Sequence, residues 1–204
     1  MKKIDHKKTL KEFYNPPRTP VIVDVPEIQY LMIDGQGYPG TSKEYQDAME
    51  ALYPVAYTLK FTIKKAGILD YTVMPLEGLW WAKDMEVFRI ETRKDEWCWT
   101  SMILQPVEVT EERYREAVEQ VKQKKNPVAL PKMRLEPYRE GVSVQIMHIG
   151  PFSEEGPVIE RMHQYAFDQG YELRGKHHEV YLSDPRRTAP GKLRTVIRQP
   201  LKKM

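Results

Sequence analysis

Chemistry can concentrate in the run Lys176-His177-His178-Glu179-Val180-Tyr181-Leu182. Its alternation predicts a half-buried β-strand that ends in a turn at Ser183-Asp184-Pro185. The period of two sends His177, Glu179 and Tyr181 to one face and His178, Val180 and Leu182 to the other. If the aliphatic face packs on a helix, the Glu179 carboxylate points to the opposite side, between an imidazole and a phenol. A carboxylate in that setting can bind an organic cation, or it can act as acid, base or charge stabiliser in a secluded pocket. Taken alone, a strand glutamate has a plainer explanation as a solvated group on an exposed sheet face.

Aromatic residues supply a second set of candidates. All four tryptophans fall in Trp80-Trp81 and Trp97-Cys98-Trp99. Trp97 and Trp99 share one strand face and are placed to stack on a flat ligand, whereas alternation lets only one of Trp80 and Trp81 face a binding site. Trp81 has the same parity as Glu77, so it is the one taken as ligand-facing. Core packing is expected for at least one tryptophan of each pair. His177 and His178 are neighbours and face opposite ways, and His148 and His163 add no ligand spacing, so no metal site is predicted. Cys98, the single cysteine, reads as buried and inert. Gly35-Gln36-Gly37 lacks the lysine and helix-entry spacing of a phosphate loop, and no cofactor is predicted.

The elements that must position these residues follow from periodicity and caps. Met1 to Pro26 reads as a polar, proline-rich arm with Val21 to Val25 as an edge strand. Ile28 to Ile33 forms a short strand, and Ser42 caps a helix through Ala66 that Gly67 closes and Pro54 kinks or splits. Strands near Tyr71 to Trp81 and Trp97 to Gln105 follow. Thr110 then caps a helix with Glu111 and Glu112 in its first turn and Lys122, Lys124 and Lys125 in its last. Asn126 to Glu140 is a connector, Ser143 to Ile149 a strand, and Ser153 the cap of a helix to about Gln169. The Glu179 strand and Lys192 to Arg198 close the chain. Both halves run strand, helix, strand, strand, with Glu77 and Glu179 in matching strands, which argues for a divergent duplication. The expected fold is therefore α+β: two pseudo-symmetric modules, about 20–105 and 106–204, forming a single domain with a central ligand cleft.

Composition is that of an ordinary globular chain: 204 residues, 41% hydrophobic, 30% charged and a net charge of +3. Basic residues gather only at the ends, as in Lys2-Lys3, Lys7-Lys8 and Lys202-Lys203, which read as solvated tails with no case for nucleic acid. One cysteine, a charged N-terminus and the lack of a long apolar run lead to a cytoplasmic protein with no membrane partner as the expectation.

The strand-helix-strand-strand duplication, the turn Ile149-Gly150-Pro151-Phe152 and the strand Glu179-Val180-Tyr181 together resemble the gyrase-inhibitor-like (GyrI-like) small-molecule-binding family. The opening Lys8-Thr9-Leu10-Lys11-Glu12-Phe13-Tyr14, then Val23-Asp24-Val25-Pro26, Ile33-Asp34-Gly35-Gln36-Gly37 and the ending Leu182-Ser183-Asp184-Pro185-Arg186-Arg187, look like its stand-alone branch. The resemblance implies paired modules of the SHS2 type around a cleft. It also implies that the glutamate matching Glu179 contacts cationic or aromatic ligands with aromatic help. For some stand-alone members it further implies hydrolytic opening of the cyclopropane in DNA-alkylating natural products. Regulator members carry a helix-turn-helix upstream. The residues before Ile28 are too few and too proline-rich for one, so direct transcriptional control is not expected.

Three functions follow. A hydrolase would use Glu179 to orient or deprotonate water, with a hydroxyl from Tyr181 or Tyr138 stabilising developing charge. A multidrug-binding or sequestering protein would use the same site without chemistry, with Glu77, Trp81, Trp97, Trp99 and His177 as ligand contacts. A protein-interaction role has no distinct acidic surface to support it. The first two share the same residues, so sequence leaves both open.

Overall fold

The computed structural model describes residues 3–84 and 91–204; Met1 and Lys2, part of the basic N-terminal end, lie outside the described residues. The fold is mixed α+β. The helices are α1 (His6–Thr9), α2 (Lys11–Tyr14), α3 (Lys43–Lys65), α4 (Glu111–Lys124) and α5 (Gly156–Asp168). The strands are β1 (Val21–Gln36), β2 (Leu76–Trp81), β3 (Cys98–Leu104), β4 (Arg134–Ile149), β5 (Tyr171–Leu173), β6 (His177–Tyr181) and β7 (Arg194–Lys203). The element order is β1-α3-β2-β3, then α4, then β4-α5-β5-β6-β7, so the second run has one more strand, β5, than the expected pattern.

The chain folds into two compact units. Unit 1 holds Met1–His6, Ile28–Met74 and Trp80–Tyr138; unit 2 holds Lys7–Glu27, Pro75–Leu79 and Arg139–Met204. In unit 1, Tyr30 to Gln36 of β1 pair antiparallel with β3, from Tyr30 opposite Leu104 to Gln36 opposite Cys98. Helix α3 starts where Ser42 accepts a hydrogen bond from the Tyr45 amide. It buries Ala48, Ala51, Leu52, Val55, Ala56, Leu59 and Ile63 and packs against α4 and β3. The helix runs unbroken through Pro54 and is not split there, because buried side chains on both sides of the proline hold it to the core. Thr110 caps α4 as expected, accepting from the Arg113 amide.

In unit 2, β7 is the organising strand. It pairs with β4 (Ile146 opposite Ile197), with β6 (Glu179 opposite Ile197, Tyr181 opposite Thr195) and with β5 near its end. This register sorts the sheet into two faces. Val144, Ile146, Ile197 and Leu201 form a core with Met162 and Ala166 of α5. The other face carries Gln145, Val180, Val196, His178 and Arg198, all buried.

Several boundaries differ from expectation. β1 is one strand of 16 residues, not an arm strand followed by a short one. Pro26 within it is exposed, and its fixed φ suits extended backbone. β4 likewise begins inside the expected connector and absorbs an exposed Pro137. β2 is shorter than expected, starting at Leu76, and β7 is longer, reaching Lys203. Within the N-terminal arm, Phe13 and Tyr14 of α2 are buried at 8% and 4% exposure. Ser153 does not cap α5. A short 3-10 turn spans Phe152–Glu154, and Glu155 occupies the cap position without a side-chain capping bond. Among the described residues, no helix is long and apolar enough to cross a membrane.

Candidate functional site

Strand β6 alternates as expected. His178 and Val180 are fully buried, while His177, Glu179 and Tyr181 are half-buried on the opposite face. The direction of that face is the surprise. Glu179 lies opposite Ile197, which packs with α5, so the carboxylate stands on the α5 side of the sheet and not away from the helix. The aliphatic face of β6 is buried instead against a charged network, described below.

At Glu179, the Tyr181 hydroxyl donates to Oε2 at 2.7 Å and His177 Nε2 lies 3.3 Å from Oε1. The Glu179 side chain keeps 16% exposure, enough to meet a small solute at one edge. Burial acts to raise its pKa, but the His177 and Tyr181 contacts outweigh this and leave it below the ordinary carboxylate value. Tyr181 is fixed in turn by Phe152, whose ring meets it edge-on at 5.8 Å while remaining 42% exposed. The turn that presents Phe152 needs glycine at position 150. Its φ is +149°, and a Cβ there would lie 3.2 Å from the His148 ring, which is held by the Pro151 carbonyl at 3.1 Å.

Glu155, at the start of α5, is the residue sequence reasoning missed at this site. It is 5% exposed, and burial followed by the charge of Glu179 pushes its pKa up to about 9, so at neutral pH it holds its proton. The site thus pairs an ionised carboxylate with a protonated one, the arrangement acid–base chemistry uses. Glu155 reads in sequence as an ordinary acidic residue of a helix first turn, and only the 3-10 lead-in turns it inward.

The buried face of β6 carries different chemistry. His178 Nδ1 lies 2.9 Å from Glu140 Oε2, and its Nε2 lies 3.0 Å from Glu77 Oε2. Arg198 donates to Glu140 at 2.9 Å, to Gln145 Oε1 at 3.0 Å and to the Phe13 carbonyl at 2.8 Å. Tyr14 donates to Glu77 at 2.5 Å, and Gln145 donates to the Glu12 carbonyl. Burial alone would lower the His178 pKa, but the Glu140 charge and hydrogen bonds to Glu140 and Glu77 raise it to about 9. Burial would raise that of Glu140, yet His178 and Arg198 bring it down to about 2. Glu77 is therefore fully buried in this network, on the other side of the sheet from Glu179. The clue in the sequence was polar His178 among the apolar alternates of β6, and Arg198 beside Val196 and Ile197 on β7.

The remaining candidates lie in unit 1. Trp99 is fully buried over Gly35, where a Cβ would come within 2.3 Å of its ring, and donates to the Gly37 carbonyl at 3.1 Å. Trp80 is buried and stacks with Tyr45, and half-buried Trp97 meets Trp80 and Tyr38 edge-on. Trp81 and Tyr138 are half-buried. Cys98 is a half-buried free thiol, more open than expected. The structure brings together Glu179, Tyr181 and His177 of the expected set and sets Glu77 apart from them. Among the described residues, no group of His, Cys, Asp or Glu is placed to hold a metal ion.

The family model for the GyrI-like small molecule binding domain matches residues 18–202. The chain belongs to the GyrI-like family. An uncharacterized conserved protein from Listeria innocua is 42% identical with a TM-score of 0.91, over 98% of this chain and all (100%) of that one. A hydrolase from Listeria innocua is 41% identical with a TM-score of 0.85, again over 98% of this chain and 100% of that one. A second hydrolase structure from that organism is 42% identical with a TM-score of 0.88 over the same shares, 98% and 100%. No curated protein matches the chain. As a GyrI-like small-molecule-binding domain, it takes a small molecule as its ligand.

Proposed function

We propose that this GyrI-like chain binds hydrophobic, aromatic or cationic small molecules at Glu179 and hydrolyses the cyclopropane ring of DNA-alkylating natural products, protecting the cell that carries it. One observation carries the reading: Glu179 is held ionised by Tyr181 and His177 at a partly open position, beside a second carboxyl that keeps its proton. A cyclopropane conjugated to a carbonyl-bearing ring is already electrophilic, so the protein need only position and activate water. Glu179 accepts a proton from water as the water oxygen bonds to the ring methylene. The strained C–C bond breaks, and its electron pair moves into the conjugated carbonyl. The oxygen anion formed there takes up a proton and Glu179 releases the one it accepted to solvent, so that one water has been added across the broken bond and the carboxylate is restored. Tyr181 orients Glu179 through its hydroxyl, and the exposed Phe152 ring offers an apolar surface to the substrate. The 41% identity to a hydrolase from Listeria innocua supports an activity of the same broad class.

The test is direct. Purified protein is incubated with a cyclopropane-bearing alkylator, and the ring-opened alcohol is followed by liquid chromatography and mass spectrometry. Catalytic formation of the alcohol above the rate without protein is expected. Stoichiometric binding of intact alkylator with no product would replace hydrolysis with sequestration.

A further inference from the structure

Helix α3 of unit 1 changes character along its length. Its first half carries Glu44, Asp47 and Glu50, whereas no Asp or Glu lies between Glu50 and Asp70. In that second stretch Tyr57 and Phe61 stand one turn apart with their rings stacked at 6.3 Å, and they stay 47% and 58% exposed. The Ile68 amide reaches back to the Ile63 carbonyl at 3.2 Å, which holds Ile68 at the end of the same helix, 40% exposed. Single exposed apolar side chains are ordinary, but a stacked pair with a third at the helix end forms a patch. Lysines accompany it. Lys60 Nζ lies 4.6 Å over the Phe61 ring, and Lys60 and Lys64 meet Asp70 at 3.8 and 2.7 Å. Lys65 is exposed beside them, and the Ile4 amide, bonded to the Asp70 carbonyl at 2.8 Å, brings exposed Lys3 to the same end.

We propose that this end of α3 docks on an anionic lipid bilayer, with Tyr57 and Phe61 entering the headgroup layer and Lys3, Lys64 and Lys65 meeting lipid phosphates. Charge complementarity selects this occupant. Lys3, Lys60, Lys64 and Lys65 gather around one acid, Asp70, so the surface beside the rings is positive. Each lysine close to an anionic bilayer is worth about fivefold in affinity. An aromatic ring with ammonium groups alongside suits the interface, because the ring leaves water while the long lysine stems keep their charges in it. A second copy seated symmetrically on this face would instead bring the same lysines against one another. Among the described residues no helix can cross a membrane, and contact of this kind needs none. The expectation of no membrane partner rested on the lack of a long apolar run, and it gives way here to peripheral contact. No residue of the Glu179 site takes part, so docking and ligand binding are separable.

The experiment co-sediments the full chain with vesicles of phosphatidylcholine alone and of equal parts phosphatidylcholine and phosphatidylglycerol, at about 0.1 M and about 0.5 M salt. The wild type should bind the anionic vesicles at least about tenfold more tightly than the neutral ones, and high salt should remove most of that difference. Two variants separate the ring and charge contributions: Tyr57→Ser with Phe61→Ser, and Lys3→Glu with Lys65→Glu. All four side chains are exposed, so their replacement leaves the fold intact. Each variant should lose about tenfold or more in affinity for the anionic vesicles at low salt. Equal binding to both vesicle types, no binding to either, or anionic binding unchanged in both variants would overturn the proposal. Sedimentation velocity without lipid adds a further check. A dimer that Phe61→Ser disperses, or capture of double-stranded DNA with the vesicles left unbound, would give the face to another partner and equally overturn it.

Discussion

Glu179 carries its charge because two neighbours stabilise it against burial, and each can be removed separately. In Tyr181→Phe the 2.7 Å hydroxyl contact is lost while the ring keeps its edge contact with Phe152. A hydrogen bond to a charged group is worth about 1.5–3 kcal/mol, so the Glu179 pKa should move back toward its ordinary value. The acid limb of the kcat/KM profile should shift to higher pH, with only a modest loss of rate on its plateau. An unshifted limb would mean that Tyr181 does not tune the carboxylate. The site was partly legible at this scale. Alternation in β6 put His177, Glu179 and Tyr181 on one face, and the structure joins them. Glu155 was hidden, because nothing in Ser153-Glu154-Glu155 distinguishes an inward acid from a helix-terminal one.

At the scale of elements, the buried network of Glu77, His178, Glu140 and Arg198 ties α2, β2, β4, β6 and β7 together within unit 2. Two carboxylates face two cations, so removing one member leaves its partner charged and buried. Arg198→Met should therefore cost about 3–5 kcal/mol in urea unfolding, since truncating one side of a buried pair is far costlier than replacing the whole network. A loss below about 1 kcal/mol, the range of a surface ion pair, would show that the network is solvated. Helices were the most readable elements: Ser42 and Thr110 cap α3 and α4 where their types and the following apolar spacing require. Long strands were harder to read. Pro26 in β1 and Pro137 in β4 look like breaks, yet both are exposed, where a fixed φ fits extended backbone. The face that carries α5 was misjudged because Val180 suggested a helix-packing side. His178 and Arg198 place a charged interior there instead, which alternation alone does not reveal.

For the whole molecule, the buried groups His178, Glu140 and Glu155 carry large shifts that bear on how stability depends on pH. His178 has a raised folded pKa, so its contribution is complete below 6.5 and is lost as pH rises through about 9. Glu140 has a lowered one, so its contribution is complete above 4.5 and is lost as pH falls through about 2. Glu155, raised to about 9, adds a second loss on the alkaline side, beginning above 4.5. The melting temperature should therefore be highest near pH 4.5, decline above it and decline more steeply between pH 6.5 and 9, as scanning calorimetry would record. A melting temperature still rising from pH 7 to 9 would contradict these assignments. The central claim concerns what the molecule does with Glu179, and one substitution tests it most directly. Glu179→Gln keeps the size of the side chain and its contact with Tyr181 but can neither carry charge nor accept a proton. Turnover of a cyclopropane-bearing alkylator by the purified variant should fall by about 100-fold or more at unchanged melting temperature. Wild-type turnover in Glu179→Gln would contradict the account.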